Sequence, residues 1–302
     1  MSGFVDIQVN GYAGVDFNGD DLTAESFHGA CESLRRDGVA SFLPTLITAP
    51  VDCLQRRLAT LASIVREDAL ATEMVAGVHV EGPFLNPAQG YIGAHSSEAT
   101  GPAKVDLAKR LLEAAEGLVR IFTLAPECDE GAATTRYLAD QGVIVSAGHC
   151  DPSLDDLKRG IDSGLRMFTH LGNGCPVTLP RHDNIVQRVL SLADHLHIGL
   201  IADGHHIPLF ALQNYLRLIP RQHVVMTTDA IAAAGLGPGR FPLAGRIVSV
   251  APNGPPRFDD SGQLAGSAAT MPMMIENLQS MGTDPATIDA YCGGNARRLL
   301  EL

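Results

Sequence analysis

The sequence has no run of basic residues and no long apolar stretch. Its 22 lysines and arginines are outnumbered by 34 aspartates and glutamates, which gives a formal net charge of −12 at pH 7. Proteins that neutralise a nucleic-acid backbone need clustered cationic side chains. A membrane-spanning helix needs about eighteen or more consecutive apolar residues. Neither nucleic acid nor a membrane is therefore an expected partner.

Disulfide and secretion signals are also missing. The six cysteines contain no CxxC pair and no framework spacing: Cys31, Cys53, Cys128, Cys150, Cys175 and Cys292. Scattered thiols in a chain of this length are typical of a reducing compartment. The N-terminus shows no basic segment followed by an apolar core, as a secretory leader would. We expect a protein of the cytoplasm.

Strand-like and helix-like segments alternate along the chain. Eight short apolar segments begin near residues 4, 40, 74, 118, 142, 166, 197 and 223. Their spacing suits strand–helix units and not hairpins. Eight such units predict an α/β fold, a (β/α)8 TIM barrel, as a single domain over residues 1–302. An open doubly wound sheet is the alternative, although no GxGxxG motif follows the first strand.

Several boundaries follow from this pattern. Thr23 is the expected N-cap of the first helix and Gly38 the expected residue after its end. One helix is predicted over Val51 to Leu70. The third strand is predicted over Met74 to Glu81, followed by a long loop that ends at His95. Loops of this length in a compact domain are usually functional.

A Gly- and Pro-rich segment follows the eighth strand. We expect Phe241 to Ala265 to form a hairpin insertion beside the barrel mouth, built from Arg246–Val250 and Arg257–Leu264. Gly266 and Ser267 are then predicted to open a helix that runs to about Met281.

Chemically competent residues stand where the predicted strands end. In a TIM barrel, catalytic groups lie at the carboxyl ends of the strands. The third strand ends in Glu81, the fifth is followed by His149, and the sixth contains His170. One carboxylate and two imidazoles can supply three ligands to a divalent metal and leave a fourth position for water. A single histidine at a strand end is more often a hydrogen-bonded structural group than a ligand, but together with the carboxylates these histidines predict a catalytic metal centre.

Asp229, after the eighth strand, suits a base better than a fourth ligand. A metal lowers the pKa of its bound water to about 7, and a nearby carboxylate can accept that proton and return it to a leaving amine. The predicted reaction is hydrolysis of a polarised carbonyl. Gln8 and Asn10, the polar residues at the end of the first strand, are poor ligands for a divalent metal, which favours one metal.

A series of motifs extends over essentially the whole chain. In order, they are GFVDIQVNG, HVEGPFLNP, GAH, TLAPE, VSAGH, THLGN, IADGHH, TTDA and LAGSAATM. This ordered set resembles the N-acetylglucosamine-6-phosphate deacetylases, metal-dependent hydrolases of the amidohydrolase superfamily. The resemblance implies that Glu81, His149 and His170 bind the metal, that Asp229 is the catalytic acid/base, and that His95 polarises the acetyl carbonyl.

The same resemblance implies substrate contacts and a homodimer. It assigns substrate binding to five residues: Asn173, Arg181, His206, Gly266 and Ser267. Some phosphate contacts would come from the neighbouring subunit. Either His205 or His206 is expected to face the site. The family usually flanks its barrel with a small β-sandwich, whereas this sequence starts almost at its first strand and ends on a helix, so we expect the barrel alone.

The predicted function is removal of the acetyl group from N-acetylglucosamine 6-phosphate. Two alternatives stay open: deacetylation of an unphosphorylated N-acetyl-hexosamine or N-acyl amino acid at the same site, and a catalytically inert barrel that serves as a binding module. A glutamate and two histidines suit zinc, the first choice here, but also iron or another divalent ion.

Overall fold

Eight parallel strands form the centre of the computed structural model, which describes residues 3–302. In chain order, they are Phe4–Val9, Val39–Ile47, Val78–Glu81, Val119–Leu124, Ile144–Ala147, Leu165–Phe168, His197–Leu200 and Val224–Met226. Each strand pairs with the next in this order. A parallel bridge between Val9 and Ala230 brings the last strand back to the first. The predicted barrel of parallel strands is confirmed as a nearly closed sheet.

Helices surround this sheet. They are Ala24–Arg36, Val51–Glu67, Ala69–Met74, Val105–Ala114, Ala133–Asp140, Leu154–Asp162, Ile185–Leu190, Leu209–Leu218, Met271–Ser280, Pro285–Asp289 and Asn295–Leu300. Thr23 caps the first helix as predicted, since its side chain accepts the Ser26 N–H. Gly38 follows that helix with a φ of 82°, a left-handed conformation that glycine adopts without a steric penalty. Within residues 3–302, no helix is long and apolar enough to cross a membrane.

Two predictions between the second and third barrel strands were wrong. The helix predicted over Val51 to Leu70 breaks at Asp68, whose extended backbone ends one helix while its carboxylate accepts the Ala71 N–H of the next. The third strand begins at Val78 and not at Met74, which is the last residue of a helix. A short run of buried apolar residues has the same appearance in sequence whether it forms a helix or a strand.

The insertion after the eighth barrel strand has three strands instead of the predicted two. Gly239–Leu243, Arg246–Val250 and Arg257–Phe258 form an antiparallel sheet, which we call the mouth sheet. The first of these strands contains glycine and proline, which are depleted in strands and tolerated at sheet edges. A smaller hairpin pairs Gly11–Tyr12 with Val15–Asp16.

The helix predicted to open at Gly266 and Ser267 begins instead at Met271. Ser267 is held in an extended conformation beside the end of the eighth strand. Its N–H donates to the Asp229 carbonyl, and its own carbonyl accepts the Ile231 N–H. These backbone bonds satisfy groups that an earlier helix start would leave unpaired.

The barrel has a closed end and an open end. Its interior is filled by side chains from the strands, including Val5, Leu43 and Ile121, and they pack against Ala296 and Leu300 of the last helix. That helix therefore covers the amino ends of the strands. The opposite end, where the strands finish, is left for a functional site.

Candidate active site

Three ligand atoms converge at the open end of the barrel. The Oε1 of Glu81 lies 3.0 Å from His170 Nε2 and 3.3 Å from His149 Nε2. The two Nε2 atoms are 3.2 Å apart, and all three residues are buried. Ligands about 2.0 Å from a tetrahedral metal ion lie about 3.3 Å from one another. The spacing of these three atoms thus fits one divalent ion.

Hydrogen bonding prepares His149 for this role. Its Nδ1 lies 2.7 Å from the Tyr91 carbonyl oxygen, so Nδ1 carries the proton and donates it. The lone pair is then on Nε2, the atom that faces Glu81. This outer hydrogen bond is the usual way in which proteins fix the tautomer of a metal-binding histidine.

Glu81 is held as a carboxylate. Burial alone would raise its pKa, but the interactions of the carboxylate with His149 and His170 outweigh burial and lower that pKa well below its ordinary value. For His170, burial lowers the pKa and the hydrogen bond and charge of Glu81 raise it, with a net increase. The cluster therefore has the anionic oxygen ligand that a divalent cation requires.

His95 lies against the same cluster with the opposite tautomer. Its Nε2 is 3.2 Å from His149 Nε2 and 3.7 Å from Glu81 Oε2, so distance alone would allow it as a ligand, and Glu81, His95 and His149 do form a group that could hold a metal. The Thr48 backbone N–H, however, donates to His95 Nδ1 at 3.2 Å. Because Nδ1 is an acceptor, the proton of the neutral ring lies on Nε2. Burial lowers the pKa of His95 to about 3, so His95 presents a neutral N–H donor to the site.

Asp229 lies at the end of the eighth strand and lines the same cavity. Its Oδ1 accepts a hydrogen bond of 2.7 Å from Asn10 Nδ2. Burial raises the pKa of Asp229 to about 6, despite the opposing charge of His170. A carboxylate with this pKa is a better proton acceptor near neutral pH than an ordinary aspartate.

The first strand supplies two residues whose role sequence reasoning missed. Gln8 Nε2 donates to Glu81 Oε2 at 3.2 Å, and Asn10 orients Asp229. In sequence they were informative only as poor metal ligands. Their spacing of two residues, which places both side chains on one face of a strand, is the signal that could have revealed them.

Three of the site residues have left-handed backbones. The φ angles are 52° at His149, 33° at His170 and 50° at Asp229. Non-glycine residues rarely adopt this conformation, and each instance costs about 1–3 kcal/mol. The chain thus accepts backbone strain at the positions where side chains leave a strand and turn into the site.

A cavity of about 630 Å³ opens above these residues. Among the predicted substrate-binding residues, Asn173, His206 and Gly266 line it. His206 is the one of the His205–His206 pair that faces the cavity, and its Nδ1 lies 2.7 Å from Asp203 Oδ2. Ser267 lies outside the lining and is fully buried, where it bonds to the Asp229 backbone. Arg181 is exposed and does not line the cavity.

Comparison with known sequences identifies the family. The N-acetylglucosamine-6-phosphate deacetylase of Homo sapiens is 34% identical over 291 residues, which cover 93% of this chain and 69% of the human protein. The Bos taurus enzyme of the same name is 35% identical over 257 residues, or 82% of this chain and 61% of that protein. The chain belongs to the N-acetylglucosamine-6-phosphate deacetylase family. No family model matches it.

Solved structures of the family agree with this assignment. A variant of the Mycobacterium smegmatis N-acetyl-D-glucosamine-6-phosphate deacetylase, in complex with N-acetyl-D-glucosamine-6-phosphate, superposes with a TM-score of 0.90 at 27% identity. It is matched over 100% of this chain and 77% of its own length. The Thermotoga maritima enzyme gives a TM-score of 0.86 at 27% identity, over 100% and 78% of the two chains. The amidohydrolase type of TIM barrel is therefore confirmed.

Another protein to which the chain is similar has a different sugar in its name. The N-acetylgalactosamine-6-phosphate deacetylase of Escherichia coli O157:H7 is 30% identical over 287 residues, which cover 94% of this chain and 73% of that protein. Against the three relatives named here, this chain spans 61 to 73% of their length.

Proposed function

We propose that this protein hydrolyses the N-acetyl group of N-acetylglucosamine 6-phosphate to give glucosamine 6-phosphate and acetate. One observation supports this most strongly. Glu81, His149 and His170 converge at 3.0–3.3 Å beside a neutral imidazole donor and a carboxylate of raised pKa. A ligand set, an electrophile and a base in one cavity are the parts that amide hydrolysis requires.

Glu81, His149 and His170 would hold one divalent ion, with zinc as our first choice and iron as the alternative. When bound, such an ion supplies Lewis acidity, which polarises a carbonyl and makes water a stronger acid. Gln8 donates to the oxygen of Glu81 that faces away from His170 and so fixes the carboxylate. We assign it the role of holding the ligand in its orientation.

His95 would donate its Nε2–H to the acyl oxygen. Negative charge develops on that oxygen during attack, and a donor already in place stabilises it without further rearrangement. Since the pKa of His95 is near 3, the imidazole stays neutral and acts by hydrogen bonding. The Thr48 amide holds the proton on the side of the ring that faces the substrate.

Asp229 would take a proton from the attacking water and pass it to the nitrogen of the leaving amine. Asn10 holds one of its oxygens, which leaves the other to accept the proton. Burial keeps the pKa close to the working range. One group can therefore act first as a base and then as an acid.

We further propose a homodimer in which Arg181 contacts the phosphate of the substrate bound by the neighbouring subunit. Arg181 is exposed, so it is accessible to a partner. Asn173 and His206 would contact the sugar phosphate from within the chain, and Gly266 would form part of the same wall, with Ser267 buried behind it. We also propose a cytoplasmic location, which suits six free cysteines.

A substrate panel tests the activity. Acetate release is measured for N-acetylglucosamine and N-acetylgalactosamine, each with and without the 6-phosphate, and for an N-acyl amino acid, with metal-loaded protein. We expect the highest kcat/KM for N-acetylglucosamine 6-phosphate. Equal rates on phosphorylated and unphosphorylated sugar would favour a deacetylase of unphosphorylated substrates. No turnover by protein with one metal per chain would favour the inert barrel.

A further inference from the structure

Among the described residues, one basic side chain with a permanent charge lines the cavity. Apart from four histidines, the only basic side chain among the described residues that line it is Arg257, on the last strand of the mouth sheet. The catalytic end of the cavity carries two carboxylates, Glu81 and Asp229. The anionic group of a ligand in this cavity would be attracted toward Arg257.

Arg257 is also available to a ligand. Its neighbour Phe258 is buried in the core of the mouth sheet, so strand alternation directs Arg257 to the other face. Its Nη1 donates to the Gly262 carbonyl at 2.8 Å, which uses one of five guanidinium N–H donors. None of the ion pairs found within residues 3–302 includes Arg257.

The other arginines of the mouth sheet are neutralised. Arg240 lies in the same cross-strand row as Arg257, since each is opposite Ser249. Two of its nitrogens donate to Asp259 Oδ2, at 2.6 and 3.0 Å. Arg246 is paired with Asp260 and lies over the Phe258 ring. Arg257 differs from both because it lines the cavity and, among the described residues, pairs with no carboxylate.

The mouth sheet is fixed to the long loop that follows the third strand and ends at His95. Gln263 Nε2 donates to the Gly93 carbonyl at 2.9 Å, two residues before His95. A bridge between Arg257 and Leu264 holds the arginine beside that contact. The backbone of Arg257 is therefore linked through Leu264 and Gln263 to the loop that carries His95.

We propose that Arg257 is a specificity residue that binds the 6-phosphate of the substrate from within the same chain. This inference rests on the proposed function. In a hexosamine, C2 carries the acetamide and C5, on the opposite side of the ring, carries the C6 phosphate. When the acetamide lies at the catalytic cluster, the phosphate points away from it and toward the mouth. A guanidinium there can bind the phosphate with two parallel hydrogen bonds.

The kinetic test compares Arg257→Gln with the matched control Arg240→Gln. For N-acetylglucosamine 6-phosphate, the Arg257 variant is expected to raise KM at least about tenfold while kcat stays within about twofold. The lost hydrogen bonds to the phosphate are made equally in the bound substrate and in the transition state, so their loss weakens binding and not the chemical step. For unphosphorylated N-acetylglucosamine, kcat/KM should not change. Arg240→Gln should leave both substrates unaffected. An unchanged KM for the phosphorylated substrate, or an equal loss on both substrates, would overturn the proposal.

A binding experiment separates this proposal from the activity. Calorimetry measures glucosamine 6-phosphate and glucosamine binding to metal-loaded wild type, Arg257→Gln and Arg181→Gln. We expect the wild type to bind glucosamine 6-phosphate more tightly than glucosamine. Arg257→Gln should lower the affinity for glucosamine 6-phosphate at least about tenfold and leave the affinity for glucosamine unchanged. If the wild type prefers the phosphorylated sugar without turnover, the proposed function fails and Arg257 is still tested. If only Arg181→Gln weakens binding, the phosphate site belongs to that residue instead.

Discussion

His95 and His149 have the same ring in the same buried cluster, yet one hydrogen bond on each gives them different chemistry. A carbonyl oxygen on Nδ1 leaves His149 with a free lone pair at Nε2, whereas an amide N–H on Nδ1 leaves His95 with a proton there. A histidine in a sequence carries no information about its tautomer. The division into ligand and donor therefore depends on Tyr91 and Thr48, neither of which could be selected from the sequence.

This division predicts that His95→Asn retains its metal and loses activity. We expect kcat to fall about 10²–10³-fold, the usual cost of removing one donor to a developing oxyanion. Metal content is measured by atomic absorption after purification and dialysis. His149→Asn is the matched control and should lose the metal. Loss of metal from the His95 variant would show that it is a ligand.

Asp229 gives a second prediction, which concerns proton transfer. Asp229→Asn should lower kcat about 10²–10⁴-fold while the metal stays bound, because the amide cannot accept the proton. The raised pKa also sets a direction with pH. The active form is the carboxylate, so wild-type activity should fall as pH decreases through about 6. Stopped assays from pH 5 to 8 check this, and a rate that does not change over that range would contradict the assignment.

At the scale of elements, the first strand connects the others through its inward-facing polar residues. Asp6 accepts hydrogen bonds from the hydroxyls of Thr227 (2.6 Å) and Thr228 (2.5 Å) and from the Thr228 N–H. These bonds fix the end of the eighth strand one residue before Asp229. Strands one and eight, which are distant in sequence, thus together hold Asp229, the proposed base, in place.

Asp6→Ala is expected to destabilise the protein by about 2–4 kcal/mol, because several buried donors lose their acceptor. It should also lower kcat, since the strand end that carries Asp229 is released. Urea unfolding and acetate release measure the two effects. Asp21→Ala, which removes an exposed carboxylate, serves as the control and should change neither quantity. Full activity in the Asp6 variant would mean that this contact does not position Asp229.

Elements were predictable to the extent that their pattern was unambiguous. The eight barrel strands follow from short apolar segments separated by helical periodicity. Met74 was assigned to a strand because its segment is apolar, but it ends a short buried helix. The strand Gly239–Leu243 was missed because it contains glycine and proline, which have low strand propensity. The start of the helix at Met271 was missed because backbone pairing of Ser267 with the eighth strand is a long-range contact. The proximity of Glu81, His149 and His170 could be expected from sequence because barrel topology brings all strand ends together, and their role as metal ligands stays a prediction.

At the scale of the whole molecule, the two ends of the barrel have separate tasks. Ala296 and Leu300 seal one end with apolar packing, while the other gathers buried polar groups around a cavity. A cation that binds these converging buried ligand groups only in the folded state stabilises that state. Much of the stability at the catalytic end should therefore depend on the metal.

Metal removal is expected to lower the melting temperature. At a free metal concentration about 1,000 times Kd, binding contributes about 4 kcal/mol, which corresponds to several degrees for a chain of this size. Scanning calorimetry before and after chelation, and again after zinc is restored, measures the shift. Glu81→Gln lacks the anionic ligand and should show no zinc-dependent increase. An identical shift in that variant would place the stabilising metal elsewhere.

The left-handed backbones of His149, His170 and Asp229 bear on whether the barrel is active. Glycine adopts this conformation without the steric cost that a side chain incurs. Glycine at any of the three positions would relieve that local cost. The chain instead has an ionisable side chain at each of them. Strained residues of this kind cluster at active sites, ligand clamps and switch regions, so the strain marks these three positions as functional.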